Sequence, residues 1–178
     1  MNITEDYLPK EMFLKLRDYV FNSEFKEFDS GEKLFSYIET PDDVKEFISN
    51  EHGKPILTFI RRAYEGFDED PRIHCDGIIA GVKPHKAMVL YLNEEGEVDE
   101  NGTAFYRHQE HGWVFNSDEV EFNRLLLEDS NDLSKWDLVS YIHSKPNRAI
   151  VYDCNMFHSK YPYKITSGVR YVLVAFLK

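Results

Sequence analysis

The chain has 178 residues, 42% of them hydrophobic, with 21 basic and 32 acidic side chains and a formal charge of −11. This composition excludes wholesale disorder and can fill one core, so a single domain over residues 1–178 is expected. Net acidity, with Arg61-Arg62 the one adjacent arginine pair, disfavours nucleic acid as a partner, because phosphate backbones are gripped by clustered Lys and Arg.

No apolar run is long enough to span a membrane, and Met1–Asp6 lacks the basic-then-apolar pattern of a secretory leader. Cys75 and Cys154 are therefore expected as reduced thiols in a cytoplasmic protein.

The first fifty residues read as helical. Glu11–Val20 places Met12, Leu16, Tyr19 and Val20 at helical spacing. Thr40-Pro41-Asp42-Asp43 reads as an N-cap, a proline at the first helical position and acids in the first turn. That helix should bury Val44, Phe47 and Ile48 and stop near Gly53. From Pro55 onward the texture changes to strands rich in β-branched and aromatic residues: Ile56–Tyr64, Ile73–Val82, Ala87–Leu92, Thr103–His108, Leu138–Ile142, Ala149–Asp153 and Val169–Leu177. The acidic stretch Asn93–Glu100 reads as a solvated hairpin loop, and Asp68-Glu69-Asp70-Pro71 as a charged turn. One helix, Asp118–Leu127, should interrupt the strands, capped by Ser117 and burying Val120, Phe122, Leu125 and Leu126. No spacing accommodates repeated βαβ units, so the expected architecture is mostly β with N-terminal helices (α+β), a sandwich or jelly roll with helices packed on one sheet.

The segment Arg72-Ile73-His74-Cys75-Asp76-Gly77 carries the first chemical signal. On a strand, His74 and Asp76 share a face and Cys75 points away. An imidazole and a carboxylate side by side are two thirds of a facial metal site that a second histidine would complete. The pair alone equally describes a surface strand with two polar residues facing water. His158 follows the strand Ala149–Asp153 and could project into a barrel mouth or sit hydrogen-bonded in a loop. Arg170 is the one polar group in Val169–Phe176 that carries a charge, on the same strand face as Val172 and Val174. A guanidinium inside such a run calls for an anion unless its head reaches solvent at the strand's start. His108 and His111 are three apart, a spacing that suits zinc on a helix, but Gly112-Trp113 and the preceding strand favour a loop.

The order His-x-Asp, a histidine 82 residues after Asp76 and an arginine 12 further on resembles the Fe(II)/2-oxoglutarate-dependent oxygenases, and more closely their prolyl 4-hydroxylase-like branch. Met88–Asn93, Asn101–Phe105 and Asn147–Tyr152 are similar to strands of that family, and the likeness covers about residues 55–178. It implies a double-stranded β-helix (jelly roll) core over 55–178 behind a helical support at 1–54, with an insertion at about 106–135.

The same resemblance implies that His74, Asp76 and His158 bind Fe(II), that Arg170 holds the distal carboxylate of the cosubstrate 2-oxoglutarate, and that Tyr91 hydrogen-bonds the same carboxylate. The implied activity is a dioxygenase that uses O2 to hydroxylate a peptidyl proline or another amino-acid side chain. A non-catalytic jelly-roll binding protein and a cupin-type metal enzyme that does not use 2-oxoglutarate are the alternatives. Val172 stands where the family often has a Ser or Thr beside the basic anchor, so a second anchor is unassigned.

Overall fold

The computed structural model describes residues 1–29, 34–79 and 81–178. Ten strands and three α-helices follow in the order β1 (Asn2–Thr4), α1 (Lys10–Asn22), β2 (Lys26–Asp29), β3 (Leu34–Glu39), α2 (Asp42–His52), β4 (Leu57–Tyr64), β5 (Lys86–Tyr91), β6 (Gly102–His108), α3 (Glu119–Glu128), β7 (Trp136–His143), β8 (Ala149–Asp153), β9 (His158–Tyr161) and β10 (Val169–Leu177). The large sheet runs β1-β8-β5-β10-β4-β3-β2 and the small one β7-β6-β9, with every strand pairing antiparallel. The mostly-β jelly-roll architecture, with α1 and α2 on one face of the large sheet, is as expected.

Residue parity builds the layers. On β5 and β10, Met88, Leu90, Leu173, Ala175 and Leu177 face α1 and α2, where Phe13, Leu16, Val20, Val44 and Ile48 meet them. Ala87, Val89, Tyr91, Val172 and Phe176 face the other way, toward Phe105 of β6. Both faces of β5 and β10 are thus covered, which is why Ala87–Tyr91 and Val172–Leu177 read as continuous apolar runs. A third cluster, with Trp136, Phe157 and Leu125 of α3, covers the outer face of the small sheet.

Several expectations are corrected. The N-terminal stretch is not all helix: β2 and β3 form an antiparallel pair that adds to β4 at the sheet edge. Thr40 does not cap α2; Pro41 occupies the cap position, and the Thr40 hydroxyl is buried without a hydrogen-bond partner among the described residues. Asp118, not Ser117, caps α3, its carboxylate accepting from the Glu121 amide at 2.9 Å. Val120 is exposed, because the inner stripe of α3 passes through Phe122 and Leu125 instead. Residues 93–100 are not a hairpin loop, since β5 and β6 lie in different sheets; Arg17 ties this crossing down through Glu94 and Glu97.

Ile73–Val82 is not a continuous strand either. His74 and His158 form an isolated antiparallel bridge, the Asp76 amide donates to the Cys154 carbonyl at 2.7 Å, and Ile79 pairs with Val82. Its partner chain turns between Asp153 and Met156, so a straight ladder cannot form. Ala80, within that predicted strand, lies outside the described residues.

His108 ends β6 fully buried, with its Nε2 3.2 Å from Asp129 Oδ2 but not aligned for a hydrogen bond, and its ring 4.5 Å from that of Trp136. Burial pushes this imidazole below its ordinary value, although Asp129 pulls the other way. Between the folded value and the unfolded value of about 6.5, the unfolded chain binds more protons, so stability falls as pH drops through that window. Urea denaturation between about pH 7.5 and 5.5 should show this loss, with a smaller slope in His108→Gln.

Candidate metal centre

The irregular backbone at 73–76 is what brings the metal-type residues together. Mutual amide–carbonyl bonds join His74 and His158 (3.1 and 2.8 Å), placing their rings 4.5 Å apart, and the bond from Asp76 to Cys154 sets the carboxylate between them. One ligand atom from each of His74, Asp76 and His158 lies within 4.8 Å of the others. The expected alternation holds locally: Cys75 turns away into the cluster with Ile73 and Phe157, where burial pushes its thiol up to about 12.

Both imidazoles are oriented by their own backbone. His74 Nδ1 is 2.8 Å from the Arg72 carbonyl and His158 Nδ1 is 2.9 Å from the Met156 carbonyl. A carbonyl only accepts, so each Nδ1 carries the hydrogen and each Nε2 presents a lone pair, the arrangement that metal-ligating histidines adopt. Each Nε2 stands 3.9 Å from an Asp76 oxygen, too far for a hydrogen bond.

The Asp76 side chain is 8% exposed and its Oδ2 is buried with no hydrogen-bond partner among the described residues. Burial holds this carboxyl above its ordinary value, His158 opposing. Two converging lone pairs and an orphaned buried carboxylate oxygen fit one divalent cation, with donors suited to iron.

A cavity of about 120 Å³ opens beside the triad, lined by His74, Asp76 and His158 together with Thr103, Lys160 and Arg170. Arg170, 6% exposed, is fixed by its Nε donating to Asn101 Oδ1 at 3.0 Å and its Nη2 to the Gly102 carbonyl at 3.4 Å. It makes no ion pair among the described residues, and burial lowers its affinity for a proton. A Cβ on Gly102 would come 2.0 Å from the Ile142 carbonyl, so only glycine lets β6 lie this close to β7 at the arginine's acceptor.

Tyr91 is completely buried behind the cavity wall. Its hydroxyl donates to Thr103 Oγ1 at 2.8 Å, and it is Thr103 that reaches the cavity. The sequence reading missed Thr103, Lys160 and Arg61. Thr103 and Lys160 are register partners on β6 and β9, and Lys160 stands two residues after His158 on the same strand face. The strand alternation from His158 could have flagged Lys160, had β9 been recognised. The Lys160 ammonium donates to the Asp68 and Tyr163 carbonyls, while Arg61 pairs with the Asp68 carboxylate. Burial pulls Lys160 down to about 8, against the pull of Asp68.

A second cavity, about 300 Å³, reaches Asp76 from another side and is walled by Ile78, Phe115 and Phe122, with Lys83 and Asn155. Phe122 of α3 rests on Gly77, where a Cβ would meet its ring tip at 2.8 Å.

Solved structures share this architecture. Iron-bound HygX from Streptomyces hygroscopicus superposes with a TM-score of 0.59 at 10% identity, over 98% of this chain and 80% of that one. A prolyl-4-hydroxylase from Pseudomonas putida gives 0.52 at 12% identity, over 99% and 91%. SnoN, a non-haem α-ketoglutarate-dependent epimerase of nogalamycin biosynthesis, gives 0.55 at 13% identity, over 97% and 74%. At these identities the likeness shows the fold, that of 2-oxoglutarate–Fe(II) oxygenases. No curated protein sequence matches the chain. The sequence model of a family of unknown function (DUF6445) matches residues 73–161, a stretch that begins beside His74 and ends beyond His158. That match spans half of the chain, which therefore belongs to the DUF6445 family.

Proposed function

We propose that this protein is an Fe(II)- and 2-oxoglutarate-dependent dioxygenase that hydroxylates a peptidyl proline or another amino-acid-type side chain. The observation that carries the reading is the convergence of His74, Asp76 and His158 on one point beside a cavity that also holds a buried arginine with no anionic partner among the described residues. Shared fold with HygX, SnoN and the prolyl-4-hydroxylase supports the reaction class, and the last of these supports the choice of substrate.

The chain's own residues would divide the work. His74 and His158, each held by a backbone carbonyl in the tautomer that puts the lone pair on Nε2, and the Asp76 carboxylate would hold the metal on one side, leaving adjacent positions for reagents. Bound Fe(II) would supply the redox chemistry by which dioxygen oxidises 2-oxoglutarate to succinate and CO₂ and hydroxylates the substrate. Arg170 would receive the distal carboxylate with the guanidinium donors that Asn101 and Gly102 leave over, and Thr103, its oxygen already accepting from Tyr91, would donate its hydroxyl proton to the same group. In this arrangement Tyr91 orients Thr103. Phe115, Phe122 and Ile78 would exclude water from the larger cavity, whose mouth suits a part-apolar substrate.

Cosubstrate dependence tests this reading. Under anaerobic conditions 2-oxoglutarate should raise the melting temperature only when Mn(II) or Fe(II) is present, and aerobic Fe(II) protein should form succinate slowly without added substrate. Stabilisation by metal with indifference to 2-oxoglutarate would favour a cupin-type metal enzyme, and indifference to both a binding protein.

A further inference from the structure

Lys160 has no role in the residue set expected from sequence, yet it lines the small cavity. β9 runs beside β6 with Phe105 opposite His158 and Thr103 opposite Lys160, so the lysine extends the wall from which His158 projects. Arg170 is fixed by Asn101 and Gly102, the two residues that precede Thr103. One short stretch of β6 and its approach thus ties Arg170, Thr103 and Lys160 to the same end of the cavity.

The hydrogen-bond inventory there is one-sided. An ammonium has three protons, and Lys160 gives two of them, to the carbonyls of Asp68 and Tyr163; the third has no acceptor among the described residues. Arg170 spends two of five donors. Thr103 accepts from Tyr91, and its own proton has no acceptor among the described residues. Of the nearby carboxylates, Asp68 pairs with Arg61 and Asp76 faces the two imidazoles. What remains is a cluster of donors around a space of about 120 Å³, room for one small ligand whose facing end only accepts.

Building on the oxygenase reading, we propose that Lys160 is a second cationic contact to the distal carboxylate of the 2-oxo acid cosubstrate and makes the site selective for a dicarboxylate. A carboxylate offers about four lone-pair directions, enough to accept from Arg170, Thr103 and the third proton of Lys160 together. Its two bonds to the Asp68 and Tyr163 carbonyls hold the ammonium in place, so little side-chain freedom is lost on binding.

The test compares two acids on the full chain loaded with Mn(II), by anaerobic calorimetry: 2-oxoglutarate, and 2-oxobutyrate, which lacks the distal carboxylate. Lys160→Met should bind 2-oxoglutarate about tenfold more weakly and 2-oxobutyrate unchanged, with the stabilisation by Mn(II) alone retained. An equal loss for both acids, or none for either, would overturn the proposal and leave Lys160 a strut between two loops. A wild-type protein that takes Mn(II) but not 2-oxoglutarate would overturn the oxygenase reading as well, an outcome separable from a variant-specific failure. If Lys160→Met does not fold, the wild type answers by itself: 2-oxoglutarate with Mn(II) should slow reductive methylation of Lys160 severalfold, read by peptide mass spectrometry, and 2-oxobutyrate should not. Equal protection by the two acids would count against the contact.

Discussion

Asp76→Ala should lose all stabilisation by divalent metal and all succinate formation, while the metal-free variant melts no lower than metal-free wild type. The carboxylate lies buried with one oxygen unpartnered, and the two imidazoles stand 3.9 Å from it, too distant to compensate the charge by hydrogen bonding. Removing a buried carboxyl whose Oδ2 is unsatisfied relieves a desolvation cost that outweighs the help of His158 and Cys154, so the apo protein gains at the position where the holo protein fails. For wild type, metal at about 100 times its Kd contributes about 2.7 kcal/mol, a rise of about 5–10 °C for a chain of this size. Differential scanning fluorimetry with and without Mn(II) reads both halves. His158→Ala should lose the same activity but cost stability too, because its ring packs 4.7 Å from that of Tyr152. Retained metal stabilisation or wild-type turnover in Asp76→Ala would remove Asp76 from the site.

Arg170→Met should weaken 2-oxoglutarate binding about 100-fold and leave metal binding unchanged. Truncating one member of a buried charge pair costs about 2–5 kcal/mol, much of it from the partner charge left unpaired. Methionine is the informative replacement because it fills the space beside Val172 and Val174 without creating the cavity alanine would leave. The guanidinium has no anionic partner among the described residues, so the ligand-free variant should be as stable as wild type or more so. Parallel titrations of Mn(II) alone and of 2-oxoglutarate at saturating Mn(II) separate the two effects. Joint loss of metal and cosubstrate, or cosubstrate binding at full strength, would argue against the anchor role.

What the sequence made legible follows from how local each determinant is. The two-sided apolar runs of β5 and β10 and the acidic start of α2 are written in neighbouring residues, whereas the α1 stripe is legible only in part: Leu16 and Val20 are buried as read, but Tyr19 is exposed and Phe13 takes its place. The β2–β3 pair was not, because Lys26–Asp29 is mostly charged and becomes a strand only by pairing with β3 at the edge of β4. His74 and Asp76 were readable as a pair from two-residue alternation, and Arg170 from being a lone charge in an apolar run. Thr103 was not, and Lys160 only through recognition of β9, since the meeting of the two depends on the β6–β9 register, which no local pattern encodes. Tyr91 shows the limit in another way: its presence near Arg170 was legible, with the guanidinium carbon 6.0 Å from its ring, but the direction of its hydroxyl depends on where β6 places Thr103.

The most direct test of the central claim is a crystal soaked anaerobically with Fe(II) and 2-oxoglutarate, with anomalous scattering collected at the iron edge. One iron should be bound by His74 Nε2, an Asp76 oxygen and His158 Nε2, with the cosubstrate reaching from the metal to Arg170. Iron bound elsewhere, or a carboxylate that leaves Arg170 without an anion, would contradict it.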